Sequence, residues 1–249
     1  MKKMKMINKY LINLALRITV FVGVLFIYIR YRQWMIDFMT QPTRFGFNIL
    51  HVIWLIFMVI MITHIFPNNS LSMALMKSKR INYEPVKDYS NYELLQFVQR
   101  QNLAAWKVML LWLSMNGVWG ILYLMNVIGV AELMLLTCFY FLSDYICILF
   151  FCPFQTFIMG NKCCVNCRIY DWGHFMMFTP MLFIRNFFSW SLFFTSCIVL
   201  IHWEIIYAQH PEQFWSGSNK TLQCDHCRDK ICKFKKLLHT SGKDEEEAS

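Results

Sequence analysis

Apolar residues fall into long unbroken runs separated by short polar segments, with no alternating pattern between them. A hydrocarbon core about 30 Å thick needs about 20 apolar residues in a helix. Runs at 11–29, 47–66, 104–128, 130–151 and 187–207 approach or exceed that length. The pattern therefore predicts an all-α integral membrane protein, a bundle of about five transmembrane helices, carrying a Cys-rich surface module.

The polar segments divide the chain. Residues 1–66 read as a helical hairpin of the first two spans, ended by Pro67, Asn68 and Asn69. Residues 67–103 form a connection in which Ser90 and Glu93 have the spacing of a capping box, starting an amphipathic helix that runs into the third span. Residues 104–151 make a second hairpin, with Gly129 permitting its turn. Cys152 and Pro153 end that hairpin, and 152–174 is a Cys-rich loop. The apolar stretch 175–207 is too long for one untilted span. Pro180 and the pair Arg185 and Asn186 break it into a re-entrant or interfacial piece and a last span. Residues 208–249 form a Cys-containing polar tail with an acidic, solvated end.

Composition agrees with this division. Only 16% of residues are charged, against about 25% in soluble domains. The net charge is +9, but the basic residues cluster beside the spans, at 1–9, 77–80 and 233–236. They read as orienting charges and as attraction to the lipid bilayer, with no nucleic-acid motif outside the spans. The basic start resembles a signal peptide. Its apolar run is too long for an h-region and no small-residue cleavage site follows, so it reads as a retained anchor with a cytoplasmic amino terminus in the cell membrane. Arg17 near that end is positioned to snorkel toward headgroups. Arg30, Arg32 and Arg44 sit uncomfortably in what should be an outside loop.

Candidate chemistry lies in two runs, NKCCVNC with Cys163, Cys164 and Cys167, and LQCDHCRDKIC with Cys224, Cys227 and Cys232. C-x-x-C spacing lets two thiolates grip one metal ion. Cys164, Cys167, Cys224 and Cys227 would complete a four-sulfur zinc site, with Cys152, His174 and His226 as further ligands. Six thiols suit an iron–sulfur cluster or a redox pair equally well. If 187–207 crosses, the second run lies outside; sharing an ion requires both runs on one side, so 175–207 would have to enter and return or lie along the interface, and both runs would then be cytoplasmic. The FFCPFQ run at 150–155 resembles membrane-bound ferredoxin-type proteins over that short stretch alone; the repeated C-x2-C-x2-C-x3-C-P runs of that class are missing. Cys138, Cys147 and Cys197 read as small hydrophobes inside spans.

Asp144 is an intramembrane acid that needs a partner, with Arg185, Lys107 and His51 as candidates, or serves as a proton relay. His51 and His64, at opposite ends of one span, raise haem ligation, although interfacial histidines are the more common case. Trp106, Trp172, Trp203 and Trp215 fit an interfacial belt. Three functions fit these residues. The first is membrane electron transfer through a surface iron–sulfur, zinc or thiol site. The second is a non-enzymatic scaffold or subunit with a structural zinc clamp, docking a protein partner or forming a homo-oligomer. The third is a small transporter using Asp144 and Arg185.

Overall fold

A computed structural model describes residues 2–40, 49–66, 72–161, 163–227, 229 and 232. They are mostly helical, and no strand occurs among them; Pro85 and Asn219 form one isolated bridge. The principal helices are α1 (Lys2–Arg30), α2 (Arg32–Thr40), α3 (Ile49–Ile65), α4 (Met73–Met76), α5 (Asn91–Leu124), α6 (Val130–Leu149), α7 (Gly173–Phe178) and α8 (Phe187–Gln209). Among the described residues four helices are long and apolar enough to cross a membrane: Tyr10–Arg30 within α1, α5, α6 and α8. The expected second span is α3, apolar but only 17 residues long. Leu110, Val118, Phe194, Ile198 and Ile201 lie exposed on the outer faces of these helices. An apolar surface of that extent suits lipid rather than water.

Residue pairs fix the packing directions. Glu132 near the start of α6 accepts from Tyr28 and Arg32, Asp144 meets Arg17, and Tyr145 meets Tyr10 and Asn13, so α1 and α6 are antiparallel. His51 packs on Phe188, Trp54 donates to Ser191, and Met61 meets Val199, so α3 and α8 run the same way. The turn between α5 and α6 differs from expectation. Asn126, at φ 58°, supplies the left-handed residue. Gly129 caps α6 with ordinary negative φ, and its amide donates to the Glu132 carboxylate at 2.7 Å. At the start of α5 the Ser90 hydroxyl accepts from the Tyr92 amide, one residue short of a capping-box partner.

Residues 173–183 run into the helical bundle, and α8 leads the chain back along it. Gly173 lies against Asp144, Thr179 accepts from Trp112, Phe183 presses on Gly120, and Asn186 donates to the Met39 carbonyl. The descent is short because α7 gives way to a 3-10 turn, Thr179–Phe183, containing Pro180. A side chain at Gly120 would meet the Phe183 ring. α8 then carries the chain back, so the loop at 150–172 and the segment at 210–229 occupy the same end of the bundle as the start of α1.

That segment is no loose tail. Gln213, Phe214, Ser218, Asn219, Leu222 and Asp229 are buried. The Val86 and Lys220 amides hydrogen-bond across to Ser218 and Glu84, and the Asp229 carboxylate accepts from the Met73 amide at 3.0 Å. The expected acidic end, 233–249, lies outside the described residues, as do Pro67, Asn68 and Asn69.

Candidate functional site

Two cavities meet at the end of the bundle that carries the cysteines. Asp144, Ile148, Tyr170, Gly173 and Met177 line both.

The first cavity, about 390 Å³, lies between α1, α3, α6 and α7. Arg17 enters it from α1 and pairs with Asp144 at 2.9 Å, its guanidinium 4.0 Å and 3.9 Å from the Phe141 and Tyr145 ring centres. The snorkelling expected of Arg17 does not occur, because an inward carboxylate offers a better partner than headgroups. Arg185, the expected partner of Asp144, is exposed at the opposite end. His64 Nδ1 lies 2.6 Å from Asp171, and the His174 ring stands edge-on to His64 at 4.5 Å. Burial pushes the Asp171 carboxyl above the usual range, and the His64 contact opposes that rise. His51, at the other end of α3, packs on Phe188. Gly173 is glycine for space: a Cβ there would sit 3.0 Å from Asp144 Oδ1.

The second cavity, about 280 Å³, holds thiols. Cys147, Cys152, Cys164 and Cys167 line it, with Trp112, Phe139, Tyr140, Phe154, Met115 and Met176 as the apolar wall. Local sequence explains the convergence. α6 stops before Pro153, whose ring cannot continue a helix that needs its amide. A π-helical turn, Phe154–Ile158, follows, and Gly160 at φ 62° reverses the chain. Gln155, buried in that turn, holds both sides together. Its amide donates to Cys152 Sγ at 3.4 Å, its Oε1 accepts from the Cys164 thiol at 3.0 Å, and its Nε2 donates to the Asn161 carbonyl at 3.0 Å. Cys147 and Cys152 line the same cavity, within electrostatic reach of one another. Cys147 is therefore more than the inert filler expected from its place inside a span, whereas Cys197 does pack against the core.

Adjacent Cys163 and Cys164 point opposite ways. Cys164 faces Gln155 and the cavity. Cys163 packs with Cys227 around Met73, Val165 and Leu222, and lies within electrostatic reach of Cys164, Cys227 and Cys232. Cys224 and His226 are exposed. The six expected ligands thus gather at one end but divide into an inner and an outer set, and the combination of Cys164 and Cys167 with Cys224 and Cys227 is not brought to one point. His174 turns into the other cavity. Among the described residues, no group of three or more His, Cys, Asp or Glu is arranged to hold a metal ion.

Lys77 is the anchor that sequence reasoning missed. Read as an orienting surface charge, it is 2% exposed, and its Nζ donates to the Val165 and Cys167 carbonyls, each at 2.7 Å. It also lies 5.5 Å and 5.4 Å from the Trp203 and Phe214 ring centres. Burial pushes Lys77 down to about 8, with the nearby Cys167 as the largest opposing influence. Burial likewise holds the Cys167 thiol up to about 12 and raises Cys163. Arg168 pins the next residue, donating to Asn102 and Glu204, while Trp172 donates to Glu204 at 2.9 Å and Trp203 to the Arg168 carbonyl at 2.7 Å. Trp172 and Trp203 are thereby buried struts instead of members of an interfacial belt. An Asn, a Gln and a Lys in polar connections carry no motif, so only tertiary packing reveals these roles.

No family model, curated protein or solved structure matches the chain.

Proposed function

We propose that this chain is a membrane thiol-redox protein, passing electrons from the aqueous face into the bundle. One observation carries the reading: Cys147, Cys152, Cys164 and Cys167 line one cavity. Cys163 and Cys227 pack together in an outer cluster beside it, with Cys224 exposed to water. Each exchange would join two thiols as a disulfide, releasing two protons and handing two electrons to the next acceptor.

The thiol face is assigned to the cytoplasm together with the basic amino end. Arg32 at the opposite end is matched by Glu132 at 2.7 Å, which reduces the charge imbalance that the 30–45 loop otherwise presents. Labelling Cys224 from each side of sealed vesicles tests the assignment.

The redox reading is tested by equilibrating detergent-purified protein in graded thiol–disulfide buffers, then alkylating and mapping peptides by mass. A two-electron transition ending in a Cys147–Cys152 disulfide is expected. Thiols that stay alkylatable throughout would sink it.

The proximity of Cys163 to Cys227 and Cys232 favours a second reading, in which the outer set, with Cys224, holds zinc or an iron–sulfur cluster. Metal analysis with a visible spectrum separates the two. Stoichiometric zinc, lost together with the fold of 210–229, favours the clamp.

A further inference from the structure

We infer that the inner cavity binds a membrane-dissolved quinone and that Cys147 and Cys152 reduce it. This rests on the thiol-redox reading and names its electron acceptor. The wall is aromatic and sulfur-rich, with Trp112, Phe139, Phe154 and Met176 presenting flat, polarisable surface suited to a conjugated ring. Access is from the side. Phe139 is 48% exposed and Met115 37% exposed on the outer apolar faces of α6 and α5. At the aqueous end Gln155, Cys164, Cys167 and Ile169 are buried under the loop. An occupant therefore comes from the lipid and meets the thiols with its head.

A second observation points to a polar ligand atom. Tyr140, on the cavity wall and buried, has a hydroxyl with no hydrogen-bond partner, although Asn116 and Trp119 lie nearby. A buried hydroxyl without a partner carries a desolvation cost. A quinone carbonyl accepting from it would remove that cost and fix the ring beside the thiols. Overall, the two S–H bonds of Cys147 and Cys152 break and one S–S bond forms. The two electrons and two protons pass to the quinone oxygens, yielding the hydroquinone. Both thiols line the cavity, so the pair and its acceptor share one chamber.

The test uses full-length protein in lipid nanodiscs, reduced, freed of reductant, and mixed with a tetrasubstituted benzoquinone bearing a decyl tail. Such a ring has no open position for thiol addition. One hydroquinone per protein is expected by absorbance, together with a Cys147–Cys152 disulfide by peptide mass. Cys147→Ser removes both signals, Cys197→Ser keeps both, and Tyr140→Phe slows reduction about tenfold with an unchanged thiol count. Should Cys147→Ser fail to fold, protection of Cys152 from alkylation by the oxidised quinone in the parent protein reads occupancy directly. Hydroquinone formed equally by folded Cys147→Ser overturns the inference. So does a pair that cycles in thiol buffers but never reduces the quinone, an outcome that leaves the thiol-redox reading standing. A pair that cycles with neither removes both.

Discussion

The two cavities share a wall at Asp144, Tyr170 and Gly173, yet they solve burial in opposite ways. On the α1 side the carboxylates have close partners: Asp144 pairs with Arg17 at 2.9 Å, and Asp171 lies 2.6 Å from His64 Nδ1. On the loop side, apart from the shared Asp144 and Tyr170, the polar atoms are four thiols, the Ser143 and Tyr140 hydroxyls and the Gln155 amide, neutral groups that need no ion pair. The difference follows from solvation. An unpaired ion at depth costs several kcal/mol, on the order of 3 even on insertion scales, whereas a thiol behaves nearly as a small hydrophobe. The two cavities therefore share the Asp144 wall, and the carboxylate there is held by Arg17 from the α1 side.

Breaking the pair should have the largest effect. Arg17→Met leaves Asp144 uncompensated and is expected to destabilise by about 3–5 kcal/mol, read as a large fall in the detergent unfolding temperature. Arg17→Met with Asp144→Leu removes both charges and should recover most of the loss. A double variant as unstable as the single one would show that packing of Arg17 between Phe141 and Tyr145, rather than charge, holds α1 to α6.

The partition itself gives a smaller effect. A methyl group at residue 173 must displace a carboxylate that Arg17 already holds, so Gly173→Ala is expected to cost about 1–3 kcal/mol. In an Asp144→Ala background the same substitution should cost little, and the difference between the two measurements is the coupling. Equal costs in both backgrounds would mean that Gly173 answers to some other contact.

The sequence makes the boundaries of this bundle legible because they depend on run length and on breakers. α1, α6 and α8 follow the apolar runs, α6 ends before Cys152 and Pro153, and the stretch after residue 172 breaks at Pro180. The end at which the two cysteine runs lie was open in the sequence, because the break at Pro180, Arg185 and Asn186 allowed a crossing, a return or an interfacial course. The pairing of charges was not readable either. Asp144 called for a cation, but Arg17, Arg185 and Lys107 are equivalent in one dimension, and only the antiparallel register of α1 on α6 selects Arg17. The division of the thiols was equally hidden. Neighbouring residues outside a helix project to opposite sides, so Cys163 and Cys164 belong to different sets, and Cys147 joins Cys152 only because α6 ends between them.

Lys77 marks where the comparison is sharpest, because it is a cation on the thiol side with no salt-bridging carboxylate among the described residues. It is held by two carbonyls, and burial lowers its affinity for a proton from the ordinary 10.5 to about 8. Between pH 8 and 10.5 the unfolded chain binds a proton there that the folded chain does not, so this group makes stability rise with pH across that window. The Cys167 thiol, raised from 9.0 to about 12 by burial, acts in the opposite sense above pH 9. The clean interval is therefore pH 8 to 9, where the parent protein should gain about 1 kcal/mol that Lys77→Met does not. Thermal unfolding of the two proteins at pH 8.0 and 9.0 measures it. Parallel curves would mean that Lys77 stays protonated in the fold, supported by its two carbonyls and the Trp203 and Phe214 faces. The thiol side would then tolerate a permanent charge, and the contrast between the chambers would lie in how each satisfies ions rather than in whether it admits them.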